Sequence, residues 1–339
     1  MKIAVISFTE NGRKLSEKIS ENLINVSRYC FYRHTDKNSV SFQDVYSLTG
    51  EIFGKYDALL FISACGIAVR AIAPHIKSKV SDPAVIVTDN CGKFVIPILS
   101  GHIGGANRIS EVISEKINAL PVITTATDTG GKFSPDSFAV ANNLIISDMT
   151  KAKKIASAIL EGEKTGITTS YRYINKPDEI TENPCRTGMY IGTENLNPYK
   201  VTLQLIPKNI VLGIGCKKDT PYSIIDSQIK SVLSENGISL SRVCEICSAD
   251  IKAQEKGIIK FCEETGVPFI TYSSEQLMSL KGNFSSSEFV KSVTGTDNVC
   301  ERSAVMSGGN LILKKTAGNG ITVAAAEKNI LLDFERKIL

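Results

Sequence analysis

Long apolar runs are missing from this chain. No stretch approaches the ~20 apolar residues of a membrane-spanning helix. The opening MKIAVISF, with one early lysine, is too short an apolar run for a secretory signal. Both absences predict a cytoplasmic protein with no membrane partner. An excess of charge is missing too. The 39 basic and 35 acidic residues leave only +4, which argues against nucleic acid, whose phosphates need concentrated basic surface. A polyanionic small molecule met by local Lys and Arg remains compatible. Disulfide spacing is absent: nine cysteines are scattered over 339 residues, as expected of reduced intracellular thiols. The one CxxC, Cys244–Cys247, has neither a second pair nor a nearby histidine, so a zinc site lacks two ligands. Half-buried strand cysteines are the simpler reading, and no metal is expected. Internal repeats and low-complexity segments are lacking as well.

What is present is an alternation. KIAVISF (2–8), DALLFIS (57–63), AVIVT (84–88), FVIPIL (94–99) and PVITTAT (121–127) are β-branched runs bounded by Gly, Pro, Asp or Asn. Between the first two, Leu15, Ile19 and Leu23 repeat at helical spacing. Ile109, Val112, Ile113 and Ile117 form a second helical stripe. Alternating strands and helices imply an α/β layered domain with a largely parallel sheet, placed at 1–145. A helix follows over about 150–160, stopped by Gly162. Residues 146–208 then read as a small β-rich middle segment through GITTSYRY, GMYIGT and VTLQLIPK. The α/β rhythm restarts at IVLGIGCKKDTP (210–221), where Thr220–Pro221 predicts an N-cap with proline in the first turn. Strands at 242–247 and 267–272 and a closing hairpin at 311–326, with Gly320 in its turn, complete a second α/β domain over 209–339.

Two glycine-rich loops follow strands and precede helices, SGHIGGAN (100–107) and GIGCKK (213–218). Such loops can present backbone N–H groups to an anion or a developing oxyanion. They can equally serve close packing. Neither fits a nucleotide fingerprint: the first lacks GxxxxGK[ST], and Lys218 stands where GxGxxG needs its third glycine. Ser100 lacks a G-x-S-x-G elbow. Only three histidines occur, and His102 sits in the first loop, at the end of a strand where α/β sheets usually bind ligands. Its ordinary pKa suits acid–base work at neutral pH. Asn107 and Arg108 open the next helix, and TTATD brings Thr124, Thr125, Thr127 and Asp128 to another strand end. His75 belongs to a helix end, and His34 has no supporting context. From the residues alone, the chain is a ligand-binding α/β protein with a polar site around His102.

These motifs carry a resemblance. GIAVRAIAPHIKSKVSDPAVIVTDNCGKFVIPILSGHIGGAN (66–107), PVITTATD and the FSPDSFA segment around Asp136 resemble the N-terminal domain of the cobalt-precorrin-5A hydrolase (CbiG) family. GIGCKK, DIKAQEKGI (250–258), GTDNVCERSA (295–304) and ITVAAA resemble its C-terminal domain, which is related to CobE. Lys217 and Asp219 stand where the family usually has Arg and Gly. The resemblance implies opening of the δ-lactone of cobalt-precorrin-5A and release of acetaldehyde, giving cobalt-precorrin-5B in cobalamin biosynthesis. It implies a cobalt-tetrapyrrole substrate, transient contact with neighbouring pathway enzymes, and no cofactor, since the substrate brings the cobalt. His102 is then the expected general base, with Asp128 orienting it or handling the proton. Ser100, Gly101, Gly104, Gly105, Asn107, Arg108, Thr124 and Thr125 are expected to contact substrate. So are Arg70, Lys217, Lys218 and Lys252, with Lys93 as a further motif cation able to meet carboxylates. Glu255 and Glu301 are weaker acid–base or contact candidates. A tetrapyrrole carrier is the alternative reading. A sugar-phosphate- or nucleotide-dependent transferase rests on loop shape alone.

Overall fold

A computed structural model describes residues 1–78, 81–101, 104–124, 132–286, 288 and 295–336. His102, Thr125, Thr127 and Asp128 lie outside the described residues.

The first layer is built by β1 (Ile3–Ser7), α1 (Glu10–Glu21), β2 (Val26–Phe31), β3 (Val40–Phe42), α2 (Val45–Ile52), β4 (Ala58–Ile62), α3 (Cys65–Ile72), β5 (Ala84–Thr88), β6 (Phe94–Leu99), α4 (Ala106–Ile117) and β7 (Leu120–Pro121). Its strand order is β3-β2-β1-β4-β5-β6-β7. Strands β3 through β5 are mutually parallel. The central strands read as continuous apolar runs because both faces are covered. Ile3, Val5, Leu60 and Ile86 face one core with Ile109, Ile113 and Ile117 of α4. Ala4, Ile6, Leu59, Phe61 and Val85 face the other, with Leu48 of α2 and Ala68 of α3.

The expected strand at 121–127 is shorter than its β-branched composition suggests. Val122 N–H donates to the Val95 carbonyl at 2.9 Å, and residues 122–124 then leave the sheet edge as coil. A larger departure concerns β6. It runs antiparallel to β5 with Leu99 opposite Val85. The loop that follows β6 therefore lies at the edge where the parallel strands begin, not at the ligand-binding edge inferred from sequence. A five-residue hairpin turn, 89–93, reverses the chain: the Asp89 carboxylate accepts from the N–H groups of Cys91, Lys93 and Phe94. Lys93 thus sits at the opposite edge from the loop after β6.

The second layer comprises α5 (Pro135–Ala141), β8 (Leu144–Ile146), α6 (Met149–Leu160), β9 (Thr165–Thr169), β10 (Arg172–Ile174), β11 (Ile180–Thr181), β12 (Thr187–Ile191) and β13 (Val201–Pro207). Its sheet, β11-β9-β12-β13-β8, is parallel except for β8. The middle region is β-rich as expected, and the helix expected at about 150–160 is α6. Asp148 caps α6 by accepting from the Thr150 and Lys151 amides, which offsets the lysines crowded at that positive helix end. Phe133, Phe138 and Leu144 belong to this core with Ile155, Ile159, Met189 and Leu205. Residues 133–145, expected in the N-terminal domain, thus pack here.

The third layer contains β14 (Ile210–Cys216), α7 (Tyr222–Glu235), β15 (Val243–Ala249), α8 (Lys256–Thr265), β16 (Phe269–Tyr272), α9 (Ser274–Ser279), α10 (Val299–Met306), β17 (Gly309–Gly318) and β18 (Ile321–Lys328). Its order is β16-β15-β14-β18-β17, with a parallel half and an antiparallel half. The hairpin turns at Asn319–Gly320, both at positive φ, the backbone that two-residue hairpin turns favour. Cys244 and Cys247 lie on β15, Cys244 at the position where the pairing with β14 skips a residue and Cys247 buried, and both are free thiols. Pro221, not Thr220, is the residue before α7. Thr220 instead donates its hydroxyl to the Lys217 carbonyl at 2.7 Å.

The chain then returns. β19 (Leu331–Asp333) pairs in parallel with β10, and Phe334 stacks on Phe138 with ring centroids 4.5 Å apart. Residues 331–334, expected in the C-terminal domain, thus complete the second core, and the third layer is inserted between β13 and β19.

Candidate active site

The loop after β6 is built by tight local bonding. Ser100 takes a left-handed backbone (φ 55°) and donates its hydroxyl to the Asp82 carbonyl at 3.0 Å. The Ala106 and Asn107 amides donate back to the Ser100 and Gly101 carbonyls at 3.1 and 3.0 Å. Gly105 has φ 79° at the N-cap of α4, a conformation that costs little only for glycine. A β-carbon at Gly104 would stand 2.4 Å from the Ser100 β-carbon and 2.9 Å from its carbonyl oxygen. Two of the first free amides of α4 are therefore spent inside the loop. Among the described residues nothing accepts from the Gly104 or Gly105 N–H.

The loop opens on a cavity of about 510 Å³ between the first and second layers, within the range of small-molecule sites. Gly101, Gly105, Asn107 and Arg108 form one wall, while Lys132, Ser134, Lys176, Phe334 and Arg336 belong to the other. Four cations thus face one space. Two are partly neutralised: Arg108 pairs with Glu111 at 3.0 Å and Lys132 with Glu179 at 3.3 Å. Across the loop a second, mainly apolar cavity shares Gly104, Gly105 and Arg108 with Ile3, Leu23 and Val112.

The remaining candidates do not converge here. Arg70 is exposed on the last turn of α3, and Thr124 is exposed beyond β7; neither lines the cavity. Lys217, Lys218 and Lys252 line a different cavity, in the third layer. Glu255 is 8% exposed. Its carboxylate accepts from Lys252 Nζ at 2.8 Å and from the Asp219 amide at 3.0 Å, tying the 217–219 loop to α8. Glu301 is fully buried. It accepts from the Ser285 amide and hydroxyl, both at 2.9 Å, and from the Lys315 amide at 2.8 Å. Burial alone would raise its pKa, but these hydrogen bonds outweigh that and hold it below the ordinary 4.5. Its position makes it a structural brace, not a proton shuttle. His75 packs against Phe53 with the rings tilted by 38° and their centroids 5.8 Å apart, which agrees with a packing role.

Sequence reasoning missed Lys132, Lys176 and Arg336. FSPDSFA carried part of the signal, since Ser134 caps α5 and also lines the cavity. Nothing local signals that residues 175–177 and 334–336 meet it.

A strand-to-helix glycine loop beside a cavity lined by four cations and by Glu111 and Glu335, in a chain of α/β layers, has the form of a site for a small polar molecule. Residues 47–128 match the family described as cobalamin synthesis G N-terminal, and residues 210–326 match cobalamin synthesis G C-terminus. The cobalt-precorrin-5A hydrolase of Salmonella typhimurium is 29% identical over 345 residues, spanning 95% of this chain and 96% of that protein. Protein CobE of Sinorhizobium sp is 27% identical over 121 residues, 34% of this chain and 79% of its own. The crystal structure of a cobalamin biosynthesis protein G homolog from Sulfolobus solfataricus aligns at 27% identity over 96% of this chain and 97% of its own, with a TM-score of 0.44. The two family matches together cover more than half of the chain, and it belongs to the cobalamin synthesis G (cobalt-precorrin-5A hydrolase) family. Among the described residues no helix is long and apolar enough to cross a membrane.

Proposed function

We infer that this chain is a cobalt-precorrin-5A hydrolase of cobalamin biosynthesis. The observation that carries the inference is the presence of both family regions in one chain that matches a protein of that name nearly end to end. The reaction opens the δ-lactone with water and expels two carbons as acetaldehyde, leaving cobalt-precorrin-5B. The cobalt arrives with the substrate, so no cofactor is required. The protein acts in the cytoplasm, and its transient partners are the neighbouring enzymes of the pathway, with no nucleic acid or membrane involved.

In this reading His102 takes the proton of the attacking water. The Gly104 and Gly105 amides stabilise the tetrahedral oxyanion, which fits their having no acceptor among the described residues. Asp128 orients His102 or carries the proton during acetaldehyde release. Arg108, Lys132, Lys176 and Arg336 face the cavity beside the loop and meet substrate carboxylates there, the arginines being suited to paired hydrogen bonds.

Anaerobic incubation of purified protein with cobalt-precorrin-5A tests the reaction through acetaldehyde and the pigment spectrum. Turnover is expected. Bound pigment without acetaldehyde replaces the hydrolase by a carrier. His102→Asn is expected to lower acetaldehyde formation at least ~10²-fold with an unchanged unfolding curve. Activity near that of the unsubstituted chain removes His102 from the mechanism.

A further inference from the structure

Of the four cations at the cavity beside the loop after β6, Arg108 and Lys132 are partly neutralised by Glu111 and Glu179. Lys176 and Arg336 are not: neither has an ion-pair partner among the described residues. Both are exposed, and a long side chain that must be ordered on binding gives back part of its interaction energy as lost freedom. Here each is already anchored to backbone. Lys176 Nζ donates to the Ile180 carbonyl at 2.8 Å, and Arg336 Nη2 donates to the Leu331 carbonyl at 3.0 Å.

The two cations also share one carboxylate neighbour. β10 and β19 pair in parallel with Ile174 opposite Asp333, so the chain runs off both strands side by side, at 175–177 and 334–336, into the cavity wall. Asp333 Oδ1 accepts from Asn175 Nδ2 at 2.8 Å and from the Glu335 amide at 3.0 Å. The Asp333 carbonyl accepts from the Arg336 amide at 3.3 Å. The first bond fixes the residue before Lys176, which holds a left-handed backbone (φ 57°). The other two fold 334–336 into the turn that carries Arg336. Asp333 is itself clamped: the buried side chain of Asn142, just after α5, donates to its carbonyl at 2.9 Å and accepts from its amide at 2.8 Å.

We propose that Asp333 is a positioning residue, which holds Lys176 and Arg336 at the spacing that receives two substrate carboxylates. The substrate rests on the hydrolase reading. Charge alone gives Asp333 the opposite effect, since an anion close to the cavity wall repels an anionic ligand. Its contribution is hydrogen-bond geometry, and through it the strand returning from the third layer becomes part of the site.

The full chain is assayed with cobalt-precorrin-5A. Where acetaldehyde forms, KM and kcat are read from it; where the pigment binds without acetaldehyde, Kd is read from its absorbance. In Asp333→Ala, KM or Kd is expected to rise about tenfold with kcat within about twofold, because binding common to ground and transition states is lost. A merely structural role lowers the folded fraction, and with it the apparent kcat, but leaves KM unmoved. Asp333→Asn keeps the Oδ1 acceptor and drops the charge, and is expected to restore KM to that of the unsubstituted chain or below it. Asn175→Gly keeps the left-handed backbone and cuts only the tie to Asp333, for an expected rise of about threefold. It carries the test where Asp333→Ala does not fold. Unchanged KM in Asp333→Ala or, where that variant is unfolded, in Asn175→Gly overturns the proposal. So does a rise in Asp333→Asn equal to that in Asp333→Ala. Pigment binding that weakens in Asp333→Ala, without acetaldehyde, removes the hydrolase and keeps the positioning role. Acetaldehyde formation with KM indifferent to these variants does the reverse, and a chain that neither binds nor turns over the pigment removes both.

Discussion

In the first layer the chain leaves β6 through Ser100 and places its glycines outside any strand, where they shape a loop against a cavity. In the third layer Gly213 and Gly215 lie inside β14. A β-carbon at Gly213 would stand 1.8 Å from the Cys300 carbonyl oxygen of α10, and one at Gly215 would stand 2.6 Å from Thr322 Oγ1. One set of glycines gives a turn its backbone freedom. The other set gives a helix and a neighbouring strand room to approach. Glycine followed by a helix therefore has no single meaning, and the distinction lies in which partner crosses the strand.

The sharpest way to break this comparison is Gly213→Ala. The intruding methyl meets backbone, which cannot swing aside, and a loss of about 3 kcal/mol or more is expected in chemical denaturation. Next in size is Glu301→Gln, which turns an amide group toward donors that now meet a carboxylate. A loss of roughly 1–3 kcal/mol is expected at neutral pH. Because the native carboxyl titrates below 4.5, its contribution is full above that pH and is lost as pH falls further. The gap between Glu301→Gln and the unsubstituted chain should therefore narrow below pH 4.5; a gap constant with pH removes the charge from the account.

Gly104→Ala is the counterpart of the first substitution with a milder clash, its β-carbon standing 2.4 Å from the Ser100 β-carbon and 2.9 Å from the Ser100 carbonyl oxygen. A stability change of about 1–2 kcal/mol is expected, together with a fall in acetaldehyde formation. Equal destabilisation at Gly104 and Gly213 erases the difference between the two loops. Asp219→Gly should have the smallest effect. Asp219 holds φ 58°, a left-handed backbone that favours glycine, so relief of backbone strain opposes the greater freedom of an unfolded glycine. A change within about 1 kcal/mol, read as a small shift in melting temperature, is expected.

The strands and helices were legible because burial on both faces leaves apolar runs, and helical stripes persist on α1, α4 and α7. The β6 reversal was not legible, since an antiparallel strand flanked by turns has the composition of a parallel one. FVIPIL shows no sign of its direction. The site was half legible. Gly101, Gly105, Asn107 and Arg108 are neighbours in sequence and line one cavity. Lys176 and Arg336 join them only through long-range packing of the second layer. Lys217, Lys218 and Lys252, which the family resemblance puts among the substrate contacts, line another cavity.

The insertion of the third layer has a mechanical consequence. The chain enters it between Pro207 and Ile210 and leaves it between Lys328 and Leu331. These crossings are laced side by side: the Lys328 amide donates to the Asn209 carbonyl, and Asn209 Nδ2 donates to the Lys328 carbonyl. Arg242 adds hydrogen bonds to Asn209 Oδ1 and Glu327. A single connector would let the inserted body swivel freely, as on a ball joint. Two laced strands behave as a strip hinge, resisting twist and leaving one axis of bending.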